Sequence, residues 1–441
     1  MRVLHISALP VWSMEGKGGM PSLQETLNGH VRAGHKVTLI LPEHHLYAEG
    51  SARVQPPTDA PYETFIASCP WLPWAKRIRF FAKRHVGNGN ATWLINWVLN
   101  RMVYVLMTWS LFAAAVRVRW RHKRRFDLVY AHNQYAALAG YLVRVFYRVP
   151  NVTRLYGTFL ADLMDRPLLW LRYTTSWLGY KVPHSLLICT NDGTRGDEVA
   201  RRLGVDLARF RFWQNGVDRP DGPGDATRPW AQSMAPSHLR SDSRWIFTCS
   251  RLSYWKRIDR ILRALRHCRD AGCDAQLLVA GDGPERESLA ALTRELGLES
   301  DVVWLGPVSH GDIWRFMRLA DVFVITNDVT NRCNPLYEAI RAGTPIVSIY
   351  DPSTADLLED GGNALLADPS DPEGLGQCML RVCTDAPLAD RMRAAQRVRS
   401  DRLWTWQERM TAETDELNRL VRGSSPKETA GARPDPARNP A

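Results

Sequence analysis

The sequence has no C-x-x-C pair, no dinucleotide fingerprint of the form G-x-G-x-x-G, and no repeat with a period of roughly 20 to 50 residues. Its eight cysteines stand apart, at 69, 189, 249, 268, 273, 333, 378 and 383, which excludes a metal framework or disulfide scaffold of recognisable spacing. Several fall in apolar runs, as Cys189 does in "SLLICT", the ordinary setting of a reduced, buried thiol, and a reducing cytosol is the expected compartment. No clean apolar run reaches the roughly 20 residues that span a bilayer. The nearest candidate, Trp93 to Val116, is broken by Asn96, Asn100 and Arg101, and its clean part from Met102 to Val116 is 15 residues long. A buried or interfacial helix is expected there. The opening "MRVLHISALP" reads as a short strand, too brief and interrupted for a signal peptide.

What is present suggests an ordinary globular protein. The 441 residues, 45% hydrophobic and 23% charged, predict two domains of about 200 residues each. A net charge of +11 favours anionic partners such as nucleotides, phospholipid headgroups or pyrophosphate-bearing lipids. Eleven Lys and Arg are concentrated in two stretches, Trp71 to His85 and Val116 to Phe126, interleaved with Trp and Phe. They flank the apolar segment, so region 71–126 is expected to lie on an anionic membrane surface, peripherally and on the inner face of the cell membrane. The basic clusters keep to one part of one domain and no RNA or DNA motif accompanies them, so nucleic acid is not an expected partner.

Along the chain, "RVLHIS", "KVTLILP", "FDLVYAH", "NVTRLYG" and "SLLICTND" are apolar without strict alternation, the pattern of strands buried on both faces. Helical stretches lie between some of them, which predicts an α/β fold with a parallel sheet. From Arg211 to Pro229 the composition turns to Gly, Pro and Asp, as in a linker. The alternation then restarts with "WIFTCSRL", "AQLLVAGDG", "DVVWLG", "DVFVITN", "TPIVSIY" and "NALLAD". The expected organisation is a first domain over 1–217, a second over 218–400, a helix over 401–422 and a polar, Pro-rich, disordered tail over 423–441.

Ligands of open α/β sheets bind beyond the carboxyl ends of strands, and five candidates sit there. Gly16, Gly18 and Gly19 follow the first strand, ahead of a helix near Pro21. His132 ends "DLVYAH"; a lone His is as readily structural as functional. Arg251 and Lys256 follow "WIFTCS" beside a helix start, a good electrostatic site for pyrophosphate. Gly281 and Gly283 bracket Asp282 in a turn, which speaks of fold more than function. Glu338 opens the helix before "AGTPIVS", where a carboxylate either decorates the dipole or grips a ligand.

The order of "GGMPSL", "DLVYAHNQ", "NGVD" (Asn215 to Asp218), "SRLSYWK", "GDGPERESL", "VVWLGPV" and "PLYEAIRAGTPIVS" resembles retaining glycosyltransferase family 4, the group 1 glycosyltransferases. The resemblance implies the GT-B architecture, two Rossmann-like domains whose parallel sheets face a central cleft. It implies a UDP- or GDP-linked sugar donor, no cofactor and no bound metal. Carried over residue by residue, Arg251 and Lys256 hold the donor pyrophosphate, Glu338 takes the ribose hydroxyls, Gly18 and Gly19 approach from the first domain, and His132 lies near the transferred sugar. Catalytic roles thus fall to Arg251, Lys256 and His132. The same match adds Asn215, Gly281, Pro335 and Leu336 to the donor site.

One position departs from the family. Where it has a second Glu, eight residues before Glu338, this chain has Thr330, followed by Asn331, with Asp328 and Asn334 near enough to supply donor or acceptor contacts. The donor sugar is therefore left open. The apolar, basic-flanked region of the first domain implies a lipid-linked or glycan acceptor, as in envelope or exopolysaccharide assembly. The rival readings are a nucleotide-sugar 2-epimerase and a non-catalytic nucleotide-sugar binding module.

Overall fold

The computed structural model describes residues 1–9, 11, 20–44, 54, 60–85, 90–219, 226–235 and 238–423. The chain divides into two compact units, the first from Met1–Asn215 joined by the segment from Trp406 onward, the second from Gly216–Thr405. The tail beyond 423, expected to be disordered, lies outside the described residues.

Unit 1 is built on seven parallel strands: β1 (Arg2–Ser7), β2 (Lys36–Pro42), β3 (Glu63–Ala67), β4 (Leu128–His132), β5 (Asn151–Leu155), β6 (Leu186–Thr190) and β7 (Phe210–Trp213), in the order β3-β2-β1-β4-β5-β6-β7. The expected strands are all present. β3 and β7 were not expected, and β7 takes the start of the supposed linker at Arg211 into the sheet, paired with β6. Both are edge strands and only partly buried, so neither carries the continuous apolar run that marks the central ones.

Side chains alternate across the sheet. Leu4 and Ile6 of β1 enter one core with the Asn90–Arg121 and Gln134–Tyr147 helices, while Val3 joins Tyr130 and Leu417 on the opposite face. Leu417 belongs to the helix Trp406–Arg422, which comes back to unit 1 and lies on the Pro21–Arg32 helix; a Cβ at Gly29 would stand 2.4 Å from Met410.

The apolar segment forms one unbroken helix, Asn90–Arg121, and its polar residues do not interrupt it. Arg101 stacks on Trp97, 3.4 Å from the ring centroid, and donates to the Trp97 and Leu171 carbonyls and to Thr174 Oγ1, so its charge is held by partners inside unit 1. By length and hydropathy this helix could cross a membrane, yet 44% of its most apolar window is buried within the protein. Val103, Met107, Leu111, Ala115 and Val118 form the inward face.

Unit 2 has six parallel strands, β8 (Arg244–Cys249), β9 (Ala275–Ala280), β10 (Val302–Gly306), β11 (Val322–Ile325), β12 (Ile346–Ile349) and β13 (Ala364–Ala367), ordered β10-β9-β8-β11-β12-β13. Ile246 and Val279 enter the core on one face, Trp245, Phe247 and Leu278 the core on the other. Both sheets reverse their strand order once, at β1/β4 and at β8/β11. That reversal opens a crevice at the carboxyl ends of the strands.

Candidate active site

In unit 2 the crevice is lined by the segments that leave β8 and β11. The loop after β8 is pressed against the turn after β9. A Cβ at Gly281, whose φ is +126°, would stand 1.9 Å from the Ser250 carbonyl oxygen, and one at Gly283 would stand 2.3 Å from that of Leu252. Only glycine permits this approach. The Leu252 amide donates to the Asp282 carbonyl (3.0 Å), and the Gly281 amide donates to the Gly306 carbonyl (2.7 Å). Gly281, expected among the donor contacts, therefore shapes the loop that carries Arg251, with its own amide engaged in the fold.

Arg251 is exposed and Lys256 half-buried, and among the described residues neither ammonium nor guanidinium has a carboxylate partner. Their neighbours differ. Arg257 pairs with Asp259 (2.8 Å), and Asp328 takes both Arg257 (3.2 Å) and Arg260 (2.7 Å). Burial pulls the Lys256 pKa below the usual lysine range, and its Nζ lies 4.1 Å from the Trp255 ring centroid. A partly desolvated cation without a counter-charge is a site prepared for an anion.

Glu338 does not open its helix as expected: the helix Asn334–Ala342 starts four residues earlier, with Cys333 at its N-cap and Pro335 in its first turn, and no acidic residue stands in that turn. Glu338 is 9% exposed, and its Oε1 sits 2.9 Å from Nε2 of His310, an exposed residue at the head of the helix His310–Leu319. Two thiols show how near Glu338 and Lys256 are. Burial raises the pKa of Cys249 well above the thiol range, the charge of Glu338 raises it further, and Lys256 opposes the rise. Cys333 is likewise raised by burial, with Lys256 and Glu338 acting on it in opposite senses. Both charges therefore reach the same spot.

The loop from β11 to that helix is held by its own polar groups. Asn331 is fully buried; its Oδ1 accepts from the Asn327 amide (2.8 Å) and its Nδ2 donates to Asp351 (3.1 Å). Thr330 Oγ1 meets Ser353 Oγ (2.9 Å) and accepts from the Arg332 amide (3.0 Å). Leu336 lies wholly in the apolar core, whereas Asn334 and Pro335 are half-buried in the first helical turn. Of the residues expected around the variant position, Asn331 and Asp328 thus serve the loop directly, by hydrogen bond and by ion pair.

Unit 1 gathers a different set. His132 ends β4 with no exposure, and both ring nitrogens are engaged, Nε2 with His5 Nδ1 (2.9 Å) and Nδ1 with Tyr156 Oη (2.9 Å). Burial, reinforced by Arg154, holds its pKa well below the usual histidine value. No nitrogen of His132 is left to face outward. Asn215 accepts a hydrogen bond from Nη2 of the fully buried Arg154 (2.9 Å), which pairs in register with His132. Gly18 and Gly19 lie outside the described residues. Among the described residues no group of three or more His, Cys, Asp or Glu is placed to hold a metal ion.

Sequence reasoning missed His310, Tyr156 and Arg154. For Arg154 a signal existed, a charge inside the apolar strand run "NVTRLYG". His310 carried none, because its partner lies 28 positions away.

Two family models match, "Glycosyl transferases group 1" over residues 231–399 and "Glycosyltransferase Family 4" over residues 94–219. A glycogen synthase of Mycobacterium tuberculosis is 25% identical over 323 residues, covering 70% of this chain and 74% of its own. A lipopolysaccharide core biosynthesis glycosyltransferase of Rhizobium meliloti is 32% identical over 116 residues, 26% of this chain and 34% of its own. The fold matches the crystal structure of Anabaena HepE in complex with UDP-glucose at a TM-score of 0.62 and 19% identity, covering 95% of this chain and all of that one.

Proposed function

The chain is a group 1 glycosyltransferase with the GT-B fold, and on that premise we propose that it moves a hexose-type sugar from a UDP- or GDP-linked donor to a lipid-linked or polysaccharide acceptor, with retention, in cell-envelope or exopolysaccharide biosynthesis. The observation that carries the donor half of this reading is a pair of cations with no carboxylate partner among the described residues, Arg251 and Lys256, at the switch point of unit 2 with Glu338 close by. A pyrophosphate supplies the anion that this loop lacks. A buried carboxylate fits the paired hydroxyls of a ribose, and His310 sets its orientation. HepE binds UDP-glucose at the same overall fold, which supports a nucleotide-sugar donor.

In the proposed reaction the bond between the sugar C1 and the diphosphate oxygen breaks, and the acceptor oxygen bonds to C1 on the same face. The acceptor proton passes to the departing phosphate. Arg251 and Lys256 act by stabilising the charge that gathers on that phosphate, worth about 2–4 kcal/mol per well-placed contact.

The acceptor half rests on surface chemistry. Trp74, Trp109 and Trp120 are 56%, 57% and 70% exposed on the helices of region 71–126, and Arg121, Lys123, Arg124 and Arg125 are exposed at its end. Aromatic side chains and basic charges together fit the headgroup layer of an anionic membrane.

The test is a thermal-shift series with UDP, GDP and ADP. A nucleotide at a hundred times its dissociation constant stabilises the chain by about 2.7 kcal/mol. Arg251→Ala combined with Lys256→Ala is expected to abolish the shift and to slow transfer at least 100-fold. No stabilisation of the wild type by any of the three would sink the reading.

A further inference from the structure

Unit 1 carries an apolar surface that the chemistry assigned to Arg251, Lys256 and Glu338 does not use. On the Asn90–Arg121 helix, Leu94, Val98, Met102, Val105, Trp109 and Phe112 recur every three or four residues, turned away from the core-facing Val103, Met107 and Leu111. Leu94, Val98, Val105 and Trp109 are each at least half exposed, and Met102 and Phe112 are half-buried. A helix that rests on a core ordinarily shows polar residues to water on its other side. This one is apolar on both sides over about 27 Å of its length. Its middle is hollowed: Trp97, Val98, Arg101, Met102, Val105 and Leu106 line an open groove of about 380 Å³. Trp97 Nε1 donates to the Leu171 carbonyl (3.1 Å), which fixes the ring against the short Leu169–Arg172 helix. Arg101 lies over that ring and donates to the same carbonyl, so its guanidinium is engaged there and its aliphatic stem is left to the lining.

Charge narrows what can lie there. Between Glu63 and Asp127 the sequence has no Asp or Glu and has twelve Lys and Arg. Those twelve supply the whole net charge, because the remainder of the chain has 45 Lys and Arg against 46 Asp and Glu. All but Arg101 flank the apolar stripe, five before it and six after it. The fitting occupant is therefore apolar along its length and anionic at one end. A second copy of the chain would bring two such cationic flanks together, and their repulsion opposes it. A flat bilayer face would rest on the crests of the helix and leave the hollow empty, and the lining would forfeit its contacts there. A single flexible hydrocarbon chain fills the hollow.

Resting on the lipid-linked acceptor of the reading above, we propose that the groove of the Asn90–Arg121 helix seats one hydrocarbon chain of a lipid phosphate, with basic residues at an end of the stripe meeting the phosphate. The chain buries the exposed faces of Val98 and Val105, and the cationic flank supplies the charge that a phosphate needs. The seat lies wholly within unit 1 and holds the acceptor by its tail, apart from the group that receives the sugar.

The test is titration of the full chain with dodecyl phosphate and farnesyl phosphate as monomers, below the concentrations at which they aggregate, beside inorganic phosphate and farnesol. Each lipid phosphate is expected to bind at least about tenfold more tightly than inorganic phosphate or farnesol alone. Val98→Asn combined with Val105→Asn changes two half-exposed positions outside the core. It is expected to weaken the lipid phosphates at least about tenfold and to leave the thermal shift given by a nucleoside diphosphate as in the wild type. Equal binding by the double variant and the wild type refutes the groove. Sedimentation with phosphatidylglycerol vesicles without any uptake of the monomers assigns the face to the bilayer alone and overturns the proposal. A wild-type dimer that the double variant dissociates overturns it in favour of a second copy. A wild type stabilised by a nucleotide that binds neither lipid phosphate refutes the seat and spares the donor reading, whereas one that binds the lipid phosphates and no nucleotide refutes the donor reading instead.

Discussion

Moving the protein from pH 7.5 to 5.5 should destabilise unit 1 selectively. All six buried histidines among the described residues, His5, His30, His35, His44, His132 and His184, belong to unit 1. Burial, with neighbouring His30, pulls His35 to about 4, and burial pulls His184 to about 4 despite opposing backbone hydrogen bonds. His5 and His132 are lowered well below the ordinary value of 6.5 by burial, helped by other imidazoles and by Arg154. The sign follows from linkage. A base whose pKa is depressed in the fold contributes its full stability above its unfolded pKa. That contribution is lost as pH falls, because the unfolded chain takes up protons that the fold refuses. At pH 5.5, one unit below the unfolded value, each such histidine costs about 1.4 kcal/mol, and four together cost on the order of 5 kcal/mol. This is comparable with the whole stability of a typical domain. Calorimetry at the two pH values is the assay, with hydrogen exchange to assign each transition to its unit. The unit 1 transition should move down by many degrees, and His35→Gln should remove about a quarter of the movement. Equal displacement of both transitions, or none, would refute the reasoning.

Other perturbations probe other parts. Glu413→Gln leaves the buried guanidiniums of Arg154 and Arg409 without a carboxylate and should cost unit 1 about 3–5 kcal/mol in urea unfolding. Gly281→Ala drives a methyl group into the Ser250 carbonyl at a positive φ; a loss of at least about 2 kcal/mol and weakened nucleotide binding are expected, from thermal melts and titration. Sedimentation with vesicles containing phosphatidylglycerol should pull down the wild type at low salt. Neutralising Arg121, Lys123, Arg124 and Arg125 together should release it, each basic residue near the surface being worth about 1 kcal/mol.

The central strands were legible because each is a short run of apolar residues bounded by turn signals, and a parallel sheet demands burial on both faces. The edge strands β3 and β7 were not. Phe210–Trp213 mixes Arg with aromatics and runs straight into Gly, Pro and Asp, so its composition belongs to two elements at once. In unit 2 the proposed donor-site residues lie on the segments that leave strands β8 and β11, which is why Arg251, Lys256 and Glu338 could be singled out from the linear sequence. The buried cluster of His5, His30, His132 and Glu413 in unit 1 could not be read this way. It is assembled from β1, the Pro21–Arg32 helix, β4 and a helix that arrives some four hundred residues later, and no spacing encodes that meeting. Asn331 shows a third case. Its place beside Thr330, where the chain departs from the family pattern, drew notice to it, but only the structure revealed that its amide is occupied in closing the loop.

The return of the Trp406–Arg422 helix makes the second unit an excisable insert. Its two ends are already clasped to one another, the Val217 amide donating to the Trp404 carbonyl at 2.9 Å. A truncation at residue 215 would strip Arg409 and Glu413 from the first unit and strand Arg154 in its interior. Rejoining 215 to 406 by a short linker restores that partner set, and the excised 216–405 fragment keeps its six-stranded sheet entire. The two halves can therefore be dissected biochemically only along this nested seam, never by a single cut.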